Sequence, residues 1–172
     1  MTGMVAACST ASAAPPPKNL WATVDVCNTA AHPDQMGVIA SMPGDGNKRE
    51  RMFVRFRAQF YDATKKKWFA LKDQPQPGSG LPPVATTSGW RPAGSASQKA
   101  AELGWYFTVR NTVAGSSSLL RGVVDFQWRE KRRTKTGRRT VVLRTLHANT
   151  KGQHSTHDGD PPGYSSGTCE IT

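Results

Sequence analysis

Between positions 52 and 61 the chain alternates without a break, with Met52, Val54, Phe56, Ala58 and Phe60 on one side and Phe53, Arg55, Arg57, Gln59 and Tyr61 on the other. In an extended strand successive side chains point to opposite faces, so this segment predicts one face on an apolar core and one largely solvated face. An antiparallel sheet meets that requirement, whereas a helix would mix the two sets. A polar turn over residues 62–67 and the return through Trp68, Phe69, Ala70 and Leu71 complete a predicted hairpin.

The same reading extends along the chain. Leu20, Ala22, Val24 and Val26 form one face of a strand over residues 20–28, and residues 36–42 form the next short run. Turn compositions separate them: Pro33 and Asp34 in the first gap, Pro43, Gly44, Asp45, Gly46 and Asn47 in the second. Residues 74–83 are rich in Pro and Gly and predict a long surface connection from one sheet to another. Trp105, Phe107 and Val109 give a fifth strand face, Leu120, Val124, Phe126 and Trp128 a sixth, residues 141–146 a seventh, and residues 168–171 the last. Ser116, Ser117 and Ser118 after Gly115 read as a turn. Only residues 97–103, with Gln98, Lys99, Ala100, Ala101 and Glu102, suggest a short helix. Short strands with regular turn signals point to a sandwich or barrel. The expectation is an all-β antiparallel sandwich of immunoglobulin or fibronectin-III type, with about seven to nine strands, over residues 19–172.

A chain of 172 residues falls within the range of one domain. It contains no run approaching the roughly 20 apolar residues of a membrane-spanning helix. Residues 1–18, rich in Ala and Pro, resemble the end of an export signal or a disordered leader: Ala11, Ser12 and Ala13 have the small-x-small form that signal peptidase accepts. Val5, Ala6, Ala7 and Cys8 also resemble a bacterial lipobox, which would lipidate Cys8. Of the remaining cysteines, Cys27 lies in the first strand-like run and Cys169 in the last. They form either one disulfide joining the chain ends or two separate buried thiols, and the export features favour the bond.

Leu20 to Cys27 read together with Met42-Pro43-Gly44, Arg49-Glu50-Arg51-Met52, Phe126-Gln127-Trp128-Arg129, Gly163-Tyr164-Ser165 and Cys169 resemble uncharacterised secreted actinobacterial proteins with an immunoglobulin-like fold. The resemblance covers most of the chain from Leu20 onward. It implies fold and export, and carries no catalytic or binding residues.

Lys and Arg number 23 against 12 Asp and Glu, a formal charge of +11 that favours encounters with polyanions. The charge concentrates in Arg129, Lys131, Arg132, Arg133, Lys135, Arg138 and Arg139, with Glu130 as the anion among them, expected at a hairpin tip between two strands. Such a patch binds phosphate-rich partners by releasing counterions; equally, it serves as a solvated turn that blunts edge pairing. Lys65, Lys66 and Lys67 beside Trp68 repeat the pattern in miniature. Trp128 at the base of the basic hairpin is read two ways, as a stacking platform or as core beside Phe126, and Trp90, between Gly89 and Arg91-Pro92, is a candidate exposed contact.

His154, His157, Asp158 and Asp160 could ligate a metal, though they lack the His-Glu-x-x-His arrangement and sit in a Gly/Pro-rich loop. No Gly-x-Ser-x-Gly elbow and no phosphate-cradling Gly loop is present. The expected function is therefore a non-enzymatic extracellular or envelope-associated module. It binds a protein or an anionic polymer (envelope polymer or nucleic acid) through loops and the basic hairpin, as a monomer without cofactor. The alternatives are a spacer domain whose charge is incidental and a metal-dependent hydrolase centred on His154 and His157.

Overall fold

In the computed structural model the described residues are 17–73, 84–110 and 115–172. Cys8, the lipobox-like residues, nearly all of the expected leader and the connection at 74–83 lie outside them. The described residues form nine strands and no helix: β1 (Trp21–Cys27), β2 (Gln35–Pro43), β3 (Glu50–Asp62), β4 (Lys67–Ala70), β5 (Arg91–Ser95), β6 (Ala100–Thr108), β7 (Ser118–Thr134), β8 (Gly137–Asn149) and β9 (Cys169–Ile171). One sheet has the order β1-β2-β6. The larger has the order β4-β3-β7-β8, with β5 also pairing β3 and β9 pairing β7. Every strand ladder is antiparallel.

The alternating segment becomes β3, and its apolar residues Met52, Val54, Phe56 and Ala58 are buried with Leu120, Val124, Phe126 and Trp128 of β7. Ala22 and Val24 of β1, Met36, Val38, Ala40 and Met42 of β2, and Phe107 of β6 belong to the same core cluster. The sheets approach closely at Gly122, where an added Cβ would lie 2.8 Å from a methyl of Val38 and from the Thr150 methyl.

Three expectations are corrected. Residues 100–103 do not form a helix: Ala101 and Leu103 pair with Met42 and Ala40 and pack on the core. Tertiary pairing outweighs a local helix propensity worth only tenths of a kcal/mol per residue. Ser118, expected in a turn, opens β7 opposite Ile171. The basic run is not a loop, because β7 continues through Arg129–Thr134 and β8 begins at Gly137, leaving Lys135 and Thr136 as the turn.

β5 escapes a pattern-based reading because it contains Pro92 and Gly94. It pairs with β3 across a register shift between Met52 and Phe53, with Gly94 in the left-handed region at φ 103°. Bulges and edge strands are where proline is tolerated.

Cys27, at the end of β1, and Cys169, at the start of β9, form a disulfide with Cα atoms 5.3 Å apart. Since β9 pairs with β7, the bond joins the two sheets. It closes a loop of 142 residues, for which the chain-entropy model gives about 5 kcal/mol of stabilisation. Replacing both cysteines with Ala is expected to lower the urea midpoint strongly. Reductant should shift the parent protein likewise and leave the variant unmoved.

Candidate anion-binding face of the larger sheet

Alternation that buries Met52, Val54, Phe56 and Ala58 turns Arg51, Phe53, Arg55, Arg57 and Gln59 to the opposite side of β3. The β3–β7 register places Arg129, Gln127, Asp125, Val123 and Arg121 of β7 beside them. Beyond Glu130, β7 pairs with β8 alone, and this two-stranded ribbon extends the face through Lys131, Arg133 and Arg138. Arg132 and Arg139 occupy the ribbon's other side, and Lys135 lies in its turn. Thus the cations expected at one hairpin tip are divided by strand parity, and Arg129 joins a larger arginine surface on the body of the sheet.

Like charges stand directly opposite one another at Arg51↔Arg129, Arg132↔Arg139 and Arg133↔Arg138. Such cross-strand pairs oppose folding. Arg132 is compensated by Glu130, 2.7 Å away, but on the outer face of β3, β7 and β8 the one carboxylate is Asp125.

Asp125 is fully buried beneath that face. Its Oδ2 accepts from Arg55 Nε at 2.9 Å and Arg57 Nε at 2.8 Å, while its Oδ1 accepts from Arg57 Nη2 at 2.7 Å and lies 2.5 Å from His147 Nδ1. Burial alone would raise this carboxyl, but hydrogen bonds from Arg57, His147 and Arg55 and the charge of Arg57 hold it below the ordinary aspartate value.

Aromatic rings carry Arg129 and Arg121 and also the Arg55 guanidinium. Arg55 and Arg129 both rest on half-buried Trp90, each 4.7 Å from its centroid, and Arg129 also lies 4.2 Å from the Phe53 ring. Arg121 covers Trp68 at 4.4 Å and donates to Gln59. Burial lowers the Arg121 and Arg129 guanidiniums from their ordinary values, with the charge of Arg55 adding to the effect at Arg129. These contacts fix planar donors in place, which suits paired recognition of phosphate, sulfate or carboxylate.

Trp90 is therefore engaged by guanidiniums. Trp128 is corrected as a contact residue: it is wholly buried, covered at 3.9 Å by Arg144, which Asp45 holds at 2.6 Å. In the smaller basic cluster, Lys65 pairs with Asp62 at 3.6 Å and lies 5.2 Å from the Phe69 ring.

The histidine loop does not converge. His154 stacks on Trp21, His157 and Asp158 are exposed, and Asp160 accepts from Thr29. Among the described residues no group of three or more His, Cys, Asp or Glu comes together to hold a metal. The acidic groups gather elsewhere, on the smaller sheet's side. Burial pushes the Asp25 carboxyl up, and the Tyr106 phenol is raised by its own burial and by Asp25, Asp158 and Asp160.

Arg55 and Arg57 were present in the alternation of β3 as a solvated set. Asp125 and His147 carried no local signal, since only the β7–β8 register brings them together. No family model, curated protein or solved structure matches this chain.

Because the folded-state value of Asp125 is depressed, its contribution to stability is present above about pH 3.9 and lost as pH falls through the folded value. Asp125→Asn is expected to flatten the acid limb of the stability curve, measured by urea unfolding between neutral and acidic pH. At neutral pH it should cost about 2–3 kcal/mol, because Arg55, Arg57 and His147 lose the carboxylate charge and one of its two acceptor oxygens, replaced by a donating amide NH2; the arginines' partial exposure places this below the fully buried case.

Proposed function

We propose that this protein is a non-enzymatic, extracellular or envelope-associated module of immunoglobulin-like architecture that binds an anionic polymer along the arginine face and its ribbon. The carrying observation is that arginines are placed opposite arginines at three ladder positions, an arrangement that opposes folding and is relieved by a bound polyanion. Electrostatic binding of this kind releases counterions and needs no concave site.

The strand order supports the architecture. β1-β2-β6 facing β3-β7-β8 corresponds to strands A-B-E and C-F-G of an immunoglobulin sandwich, although the disulfide joins β1 to β9 instead of two strands facing across the core. Placement outside the cytosol is supported by the disulfide itself.

Binding to heparin and to single-stranded DNA over a salt series tests the reading. The logarithm of affinity should fall steeply with the logarithm of salt. Neutralising Arg132, Arg133, Arg138 and Arg139 to Gln should reduce the slope on DNA by roughly 0.7 for each phosphate that is no longer neutralised. Retention absent even at low salt would leave a spacer domain as the better description.

A single change separates the role of the charge from its cost. Arg138→Glu places an anion opposite Arg133 and is expected to raise stability by about 0.5 kcal/mol while weakening polymer binding. Urea unfolding and a binding isotherm on the same variant measure both.

A further inference from the structure

Where the start of β1 meets the end of β8, a cavity of about 350 Å³ opens beside the arginine face. We infer that it is a separate site for one anionic sugar residue, a pyranose bearing a carboxylate. The site stands on its own residues and does not depend on polymer binding by the arginine face.

One wall is aromatic and fixed. The Trp21 and His154 rings stack at 4.4 Å between centroids and 10° between planes. The backbone N–H of His154 donates to Ser165 Oγ at 3.1 Å, and that hydroxyl lies 2.7 Å from Thr23 Oγ1 on β1. A rigid flat wall of this kind suits the C–H face of a sugar ring.

Leu20, Ala22 and Ala148 add apolar lining, and the polar part, His147, Asn149, Lys151 and Gln153, contains no carboxylate. Lys151 is exposed, forms no ion pair among the described residues, and is anchored by its backbone N–H to the Ala22 carbonyl at 2.9 Å. Its backbone is thereby held at the cavity, and its side chain supplies positive charge there. The two amides present donors and acceptors for hydroxyl groups.

His147 is oriented from below. Ionised Asp125 only accepts, so Nδ1–H donates to it and Nε2 is left for a ligand. The cavity has room for one ring and lies at the lower end of the range for small-molecule sites. A short apolar wall, amide groups and an unpaired cation together match a sugar acid better than a neutral sugar or a simple anion.

Titration of the full chain with glucuronate, glucose and acetate, followed by NMR of the imidazole and indole signals, tests the site. Glucuronate should shift His147, His154 and Trp21 signals saturably, with glucose and acetate at least tenfold weaker. Lys151→Gln should weaken glucuronate about tenfold and leave glucose unchanged. Arg129→Gln, which damages the arginine face, should leave glucuronate binding intact. Absence of shifts at His147 and His154, equal response to acetate, or loss of binding in Arg129→Gln would overturn the proposal. A glucuronate-terminated oligosaccharide then distinguishes the source: affinity per chain end equal to that of the glucuronate monomer identifies a terminal residue of a polymer, and binding of the monomer alone identifies the free sugar acid.

Discussion

The ladder between β3 and β7 runs without interruption from Glu50↔Glu130 to Phe60↔Leu120, and both faces of the larger sheet follow from it. Side chains alternate on each strand, so one register fixes two surfaces at once. It buries Met52, Val54, Phe56 and Ala58 against the smaller sheet and stacks Arg51, Arg55, Arg57, Arg121 and Arg129 on the reverse. A slip of one residue would exchange these sets, placing guanidiniums in the core at a cost of many kcal/mol. The hydrophobic demand of the core therefore also holds the arginines in their array.

The array is tolerable because of Asp125. Placed beneath the surface, its carboxylate takes hydrogen bonds from Arg55 and Arg57 and lies against His147, while Trp90, Phe53 and Trp68 lie against the guanidiniums of Arg55, Arg129 and Arg121. These contacts organise the positive charge and neutralise little of it. Away from the core the ribbon has no such support, and Arg133 faces Arg138 with solvent on both sides. A surface arranged for stability alone would avoid such pairs, and this is the ground on which we propose that the charge meets a polyanion.

The chain's second half supplies a different kind of order. Residues 150–168 contain little regular structure, yet they hydrogen-bond along β1 through Ala22, Val24 and Asp25 and bring His154 onto Trp21. This segment closes the cavity beside the sheet, and its conformation depends on partners more than 120 residues earlier in the chain. The alternative reading of His154, His157, Asp158 and Asp160 as one metal-ligand group finds no such group among the described residues for the same reason: β1 and the loop's own backbone hydrogen bonds, not local spacing, decide where each side chain lies.

Alternation and turn chemistry by themselves determined that this protein is all-β, where most strands lie and which residues form the core, because those signals are local and periodic. The pairing of Cys27 with Cys169 was also legible, since the two cysteines lie in the first and last strand-like runs and a bond between them was the favoured reading. Tertiary structure alone decided that residues 100–103 extend, that Trp128 is sealed under Arg144, and that Arg129 belongs with Arg55 and Trp90. It also decided that Asp125 meets His147. Each of these depends on which strand lies beside which and in what register, a choice made by the whole core and not by any short stretch of residues.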